Sequence, residues 1–328
     1  MLPGFKTTTF MLRANKKVKE LASKIDIVHY TNDYCGFTLS RSKVGKPVFA
    51  TLHHTHTMEY NALREFADSS FFKRFRTSIS QRILARMEKS TMEKADPVVV
   101  VSNATFENGV QVYPSLKEKM RVVLNGIDDT RFSPGIDGSK FRSSLGLASE
   151  PVVLFVGRLA NSKGVGFLID SFNLVRKKVS DAKLVIVGEG SSEDVKVLKE
   201  KAKSLGTSVI FAGKVSEEAL PMAYAASDVV VLPSLVEGFG LVLLEAMAES
   251  KPVIATDTGP SKEIITGEEG LLVPKGNVER LAVEIIKVLT DKSLATRMGV
   301  CGRRTVEERF SIEKWSSKMI ELYHSTLS

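Results

Sequence analysis

The sequence predicts an α/β protein made of two doubly wound, parallel-sheet domains. Three observations carry that reading. Short Val/Ile/Leu-rich runs alternate with amphipathic stretches of helical length along most of the chain. A segment rich in Pro, Gly, Ser and charge, 128–140, interrupts the alternation. The 328 residues, 43% hydrophobic and 26% charged, are ordinary for a globular protein and too many for one small core.

The second half shows the alternation most clearly. PVVLFVG (151–157), KLVIVG (183–188), SVIFAG (208–213), DVVVLP (228–233), PVIAT (252–256) and GLLVP (270–274) are continuous apolar runs, as expected of strands covered on both faces. Helices are predicted near 165–179, 192–205, 216–227, 240–250 and 277–291, with Ser216 as an N-cap before Glu217 and Glu218. In the first half IDIVHY (25–30), KPVFATLH (46–53), DPVVVVS (96–102) and RVVLNG (121–126) predict a second parallel sheet, with a long helical stretch between about 60 and 94. The expected domains are 1–130 and 131–310, linked through 128–140. Residues 312–327 have helical apolar spacing, and 311–328 are expected to cross back to the first domain. No repeat of solenoid period and no low-complexity tract is present.

Composition narrows the function classes. The two cysteines, Cys35 and Cys301, match no metal or redox spacing, no apolar run approaches the ~18 residues of a membrane span, and the opening MLPGFKTTTFML lacks the pattern of a signal peptide. A cytoplasmic protein is expected. Residues 1–150 hold 23 Lys and Arg against 15 Asp and Glu, and the remainder holds 23 of each, so the net charge of +8 resides in the first half. Its partner is then a phosphorylated substrate, an anionic membrane surface or a nucleic acid, unless the charge only serves solubility. Within 69–90, Phe71, Phe72 and Phe75 beside Lys73, Arg74, Arg76, Arg82 and Arg86 suit a basic helix lying on anionic lipid, peripheral to the membrane, or one packed on its own sheet with its bases in water. No aromatic stacking motif or recognition helix accompanies the charge, which argues against nucleic acid.

Doubly wound sheets bind ligands at the carboxyl ends of their strands, and the chemistry-bearing motifs follow strands here. GRLANSKG (157–164) places Arg158 and Lys163 in a Gly-bounded turn, where a guanidinium and an ammonium can hold a diphosphate; two solvated surface bases are the plainer reading. After DVVVLPS, Glu237 precedes Gly238-Phe239-Gly240, whose backbone N–H groups open a helix. Glu245 falls one to two turns into that helix among Leu241, Val242, Leu243, Leu244, Ala246 and Met247. A buried acid there requires a polar partner, and a vicinal diol such as a ribose is one; Glu249 is expected to serve the exposed face. ATLHHTHT (50–57) ends a strand in histidines. His54 and His56 invite a metal reading with His29, but no carboxylate or Cys joins them, so no metal site is expected.

GRLANSKG, VGEG (187–190), FAGKVS (211–216), ASDVVVLPS (226–234), the Glu-x7-Glu motif EGFGLVLLE (237–245) and PVIATDTGP (252–260), in this order, resemble the retaining, nucleotide-sugar-dependent glycosyltransferases of family 4. The resemblance covers most of 120–310 and implies the GT-B fold, two Rossmann-like domains facing a cleft. It implies that Arg158 and Lys163, beside Gly157, bind the donor diphosphate and stabilise the leaving group without a metal or other cofactor. Glu237 would contact the transferred sugar, with Gly238, Phe239, Gly240 and Leu241 alongside. Glu245 would bind the ribose, and Lys214 and Val215 would meet the base through main-chain atoms, leaving UDP-, GDP- and ADP-linked donors open. His53 matches the family's strand-end histidine near the reacting sugar carbon. The strand and Gly-rich loop with which such proteins open have no counterpart before Ile25, so a shortened first domain is expected. The function expected is transfer of a sugar to a lipid, polysaccharide or small-molecule hydroxyl with retention of configuration. The alternative is a sugar-nucleotide-binding partner or scaffold protein with impaired catalysis.

Overall fold

The chain divides into two compact units, Met1–Asn125 together with Trp315–Ser328, and Gly126–Lys314. A computed structural model describes residues 5–31, 35–38, 44–65 and 71–327; the side chains of 71–81, which carry most of the basic, Phe-rich stretch, lie outside the described residues.

The first unit is built on a four-stranded parallel sheet in the order β1 (Val28–Tyr30), β2 (Val48–Leu52), β3 (Val98–Val100), β4 (Met120–Val122). Helix α1 (Phe5–Leu21) precedes β1. The crossover from β2 to β3 contains two helices, α2 (His56–Glu65) and α3 (Phe71–Lys94), in place of the single stretch expected from about 60. Helix α4 (Asn103–Val112) joins β3 to β4 and was not foreseen, because NATFENGVQV carries few helix formers. Its start is set by a cap: Ser102 Oγ accepts the Thr105 N–H at 2.9 Å. Central strands β2 and β3 are buried along their whole length, which explains their unbroken apolar sequence.

The last helix, α13 (Ile312–Leu327), brings Trp315, Met319, Leu322 and Tyr323 onto Phe49, Val99, Val123 and Ile27 of the first unit. Tyr323 Oη lies 2.6 Å from His29 Nδ1, and His29 Nε2 lies 2.7 Å from Thr51 Oγ1. Burial, with a smaller contribution from nearby His53, pushes the His29 imidazole down to about 4.

The second unit has six parallel strands in the order β10-β9-β8-β5-β6-β7. They are β5 (Val152–Val156), β6 (Lys183–Val187), β7 (Val209–Gly213), β8 (Val229–Leu232), β9 (Val253–Thr256) and β10 (Gly270–Val273), each within its expected run. The intervening helices are α6 (Val165–Arg176), α7 (Ser192–Lys201), α8 (Leu220–Ala225), α9 (Leu241–Ala248), α10 (Gly259–Ile264) and α11 (Val278–Thr290), preceded by α5 (Ser139–Ser144) and followed by α12 (Lys292–Thr305). Ser216 caps a turn ahead of α8, accepting the Ala219 N–H at 3.3 Å, so the helix begins later than expected.

Residues 128–132 are pinned to the second unit and do not form a free linker. Asp128 Oδ1 accepts the Thr130 and Arg131 N–H groups at 3.2 and 2.9 Å. Phe132 is buried edge-on against Tyr224, with ring centroids 5.8 Å apart. An exposed linker cannot hold an aromatic ring of that area out of water, so the break between units falls ahead of this segment.

The order of the second sheet reverses between β5 and β8, which are neighbours joined by no direct crossover. A crevice opens outside the carboxyl ends of two strands where the connections depart in opposite directions. Here the loops after β5 and β8 are locked together. Leu235 N–H donates to Ser162 O at 2.8 Å, and Gly164, at φ +65°, stands where a Cβ would lie 1.9 Å from the Pro233 carbonyl oxygen.

Two predictions follow from these contacts. Gly164→Ala combines a left-handed backbone with a backbone clash and should destabilise the second unit by about 2 kcal/mol or more in urea denaturation; a loss under half of that would show that the loops separate freely. His29 is neutral in the folded protein and gains its proton more readily when unfolded. Its contribution is therefore complete above pH 6.5 and is lost as pH falls from 6.5 towards 4. His29→Gln should flatten the acid-side decline of the melting temperature in that window, and an unchanged decline would assign it to other groups.

Candidate donor-binding site

The residues singled out in the second unit gather on three strand ends. Gly157, Arg158 and Lys163 follow β5, Lys214 and Val215 follow β7, and Glu237 to Gly240 follow β8 and lead into α9. His53 follows β2 in the first unit.

At the switch point Lys163 and Glu237 meet directly. Lys163 Nζ lies 2.6 Å from Glu237 Oε1, and Ser234 Oγ donates to the same oxygen at 2.6 Å. Both side chains are mostly withdrawn from water, so each partner compensates the other's desolvation. Glu237 Oε2 takes no hydrogen bond from the described residues. Ser234 is itself anchored: the Thr256 hydroxyl at the end of β9 donates to its carbonyl oxygen. The β5 loop itself offers no carboxylate to its two bases. Arg158 is exposed and forms no ion pair among the described residues, whereas the loop lock carries Glu237 across from β8 to Lys163.

Gly240 opens α9 in the left-handed region, φ +107°, a conformation that the turn from loop into helix requires. Phe239 turns away from solvent and packs edge-on against Phe310, ring centroids 5.9 Å apart, so only its backbone can face a ligand. Leu241 is 41% exposed beside it. Lys214 and Glu189 form an exposed pair at 3.6 Å, and Val215 is half-buried.

Glu245 is half-buried, and its polar partner inside the protein is Tyr224, whose hydroxyl donates to Glu245 Oε2. Burial raises the carboxyl, while the Tyr224 hydrogen bond and the Arg131 charge pull it back down. Glu249 corrects an expectation. It is buried at the end of α9, both its oxygens lack hydrogen-bond partners, and burial pushes it up to about 8. Helix α12, absent from the sequence reading, reaches this end of α9, where Arg303 donates to Ala248 O at 2.9 Å.

In the first unit His53 Nε2 lies 3.2 Å from Thr31 O. His54 pairs with Glu59 at 3.6 Å and His56 approaches Glu88 at 3.7 Å, while Tyr113 donates to Glu88 at 2.6 Å. These carboxylates lie outside the ATLHHTHT motif, which is why spacing alone did not supply them. Among the described residues no group of three or more His, Cys, Asp and Glu could hold a metal ion. No helix among them is long and apolar enough to cross a membrane. Sequence reasoning also missed Ser234, Tyr224 and Arg131. A hydroxyl three residues before Glu237, in the tight turn after β8, was the available signal for the first; the other two depend on long-range packing.

Known proteins resemble this chain in sequence and in fold. An uncharacterized glycosyltransferase of Methanocaldococcus jannaschii is 32% identical over 251 residues, 74% of this chain and 63% of that protein, so the match spans under two thirds of the relative's length. The lipopolysaccharide core biosynthesis mannosyltransferase LpsB of Rhizobium meliloti is 29% identical over 262 residues, 76% of this chain and 72% of that protein. The structure of HepE from Anabaena, in complex with UDP and glucose, has the same fold, with a TM-score of 0.80 at 23% identity over 94% of this chain and 80% of that one. The family model of glycosyltransferase family 4 matches residues 1–131 and that of glycosyl transferases group 1 matches residues 138–305, over half of the chain. With its two parallel-sheet domains of GT-B type, the chain belongs to the glycosyl transferases group 1 family.

Proposed function

We propose that the protein transfers a sugar from a nucleoside-diphosphate donor to an acceptor hydroxyl, with retention of configuration and without a metal ion. The observation that carries this reading is the near-buried Lys163–Glu237–Ser234 cluster at the β5/β8 switch point, with Arg158, exposed and in no ion pair among the described residues, at the start of the same β5 loop. The bond between the sugar's anomeric carbon and the diphosphate oxygen breaks as negative charge builds on that oxygen. Arg158 and Lys163 are assigned to that charge, where fixed cations in a partly dry site stabilise it best. Glu237, tied to Lys163, is assigned to the sugar hydroxyls, and the backbone of Gly238, Phe239, Gly240 and Leu241 lines the same loop. Glu245 is assigned to the ribose diol, and Gly157, Lys214 and Val215 to the diphosphate and base sides. His53 is assigned a hydrogen bond to the transferred sugar. The acceptor oxygen bonds to the anomeric carbon on the face the diphosphate leaves, and its proton passes to the departing diphosphate oxygen.

LpsB is named for mannosyl transfer in lipopolysaccharide core synthesis, which favours a glycolipid or polysaccharide acceptor and a location in the cytoplasm, at the inner face of the membrane. The net charge of +8 suits work at an anionic surface.

Calorimetry with UDP-, GDP- and ADP-sugars in EDTA tests the donor assignment, and failure of all three to bind would overturn it. Arg158→Ala is the cleanest variant, because Arg158 supports no other described side chain. It should lower kcat/KM by about 10²–10³-fold with the melting temperature unchanged. Lys163→Ala should lower both, since it leaves Glu237 buried without its cation. Full activity in Arg158→Ala, or activity abolished by EDTA, would sink the mechanism.

A further inference from the structure

Glu245 is an acid whose carboxyl is raised by burial. It sits on α9 between buried Leu244 and buried Ala246, and no cation touches it. What does touch it is Tyr224 of α8, a side chain with no exposure, whose hydroxyl donates to Oε2; no other hydrogen bond from the described residues reaches the carboxylate.

Tyr224 is in turn held from behind. Phe132 packs against it at an interplanar angle of 78°, and Arg131 stacks over Phe132 at 5.0 Å while its guanidinium donates to Glu217 Oε2 and to the Glu217 carbonyl, each at 2.6 Å. Arg303 fixes the backbone of the same segment through Asp129 O at 2.8 Å and Phe132 O at 3.1 Å. The charged and titratable groups around Glu245 are therefore Tyr224 from α8, Arg131 from the 128–132 segment, Glu217 from the loop before α8, and Glu249 from its own helix. Lys251 faces Glu249 and donates to Ala225 O and Ser227 O.

The geometry points to Tyr224 as the positioning residue of the donor site, its hydroxyl fixing the Glu245 carboxylate for a ribose diol and its ring fixed by the interdomain segment through Phe132. The inference rests on the reading that Glu245 binds the donor ribose. A carboxylate that must accept two hydrogen bonds from a diol has to be both oriented and ionised. A bond from a neutral phenol supplies orientation and favours the ionised form, while leaving Oε1 and a second lone pair on Oε2 as acceptors. A lysine or arginine in the same place would compete for those lone pairs.

The sign of the pH effect follows. The Tyr224 hydrogen bond lowers a carboxyl that burial has raised, so its removal moves Glu245 further up. Nucleotide binding, which needs the carboxylate, must then fail at a higher pH.

The experiment titrates UDP, GDP and ADP binding by calorimetry from pH 5 to 8.5, in the full-length wild type and in Tyr224→Phe, Glu245→Gln and Arg131→Gln. Tyr224→Phe keeps the ring against Phe132. We expect about tenfold weaker binding at high pH, the cost of one hydrogen bond to a charged group, and an acid limb displaced upward. Arg131→Gln should displace the limb in the same direction and by less, and Glu245→Gln should remove it. Each curve is normalised to its own high-pH plateau, so partial loss of folded protein changes amplitude and not midpoint. Failure of all three nucleotides to bind the wild type overturns the donor reading and the inference with it. Wild-type binding with an acid limb that coincides in Tyr224→Phe overturns the inference alone.

Discussion

The second unit depends on one contact, the pairing of Lys163 with Glu237 across the loops that follow β5 and β8. Neither residue reaches the other through its own strand. They meet because the strand order reverses between these parallel neighbours, because Gly164 lets the β5 loop press on the Pro233 carbonyl, and because Leu235 bonds back to Ser162. Ion pairs this far from water do not add much stability over an apolar pair of the same volume, but breaking one leaves a stranded charge. The pair therefore acts as a constraint. It fixes where these two loops can be, and with them Lys163, Glu237 and the backbone that leads into α9.

A second set of contacts supports α9 from behind. Arg303 of α12 donates to three carbonyls, those of Asp129, Phe132 and Ala248, and so ties the segment leaving the first unit to the end of the helix that carries Glu245. Phe132 and Tyr224 continue that support to the carboxylate itself. Residues from 129 to 303 thus converge on one acid, and most of them have no chemistry of their own to announce it.

That explains what could and could not be read from the sequence. The six strands of the second unit were legible because strands buried on both faces leave unbroken Val, Ile and Leu runs, and no other local signal imitates them at that spacing. Loop residues at strand ends were legible for the same reason, since the doubly wound fold puts ligands there. Helices α4, α10 and α12 were not, because each is weak in local propensity and forms through packing. Glu249 was assigned to solvent on helical spacing alone; the error lies in α12, which had not been recognised as a neighbour. The ion pair of Lys163 was hidden for a related reason. Periodicity reports one strand and its loop, and the partner came from a strand 74 residues away. Tyr224 and Arg131 were invisible on the same ground, since their importance exists only once the chain has folded.

The two acids of EGFGLVLLE now separate by the kind of partner each has. Glu237 is held by a cation, so that cluster carries no net charge and loses little by sitting in a dry crevice. Glu245 is held by a phenol, which adds no charge and leaves its spare lone pairs open. On the proposed reading, Lys163 meets the donor diphosphate while the Glu237 that holds it meets the sugar hydroxyls, and Glu245 meets the two hydroxyls of the ribose. An unpaired carboxylate beside the diphosphate would repel it, and the lysine on Glu237 Oε1 removes that repulsion while leaving Oε2 open to a hydroxyl. The partners thus differ by side, lysine on the phosphate side and tyrosine on the ribose side, and Arg158, with no ion pair among the described residues, is left to receive the charge that develops on the leaving group.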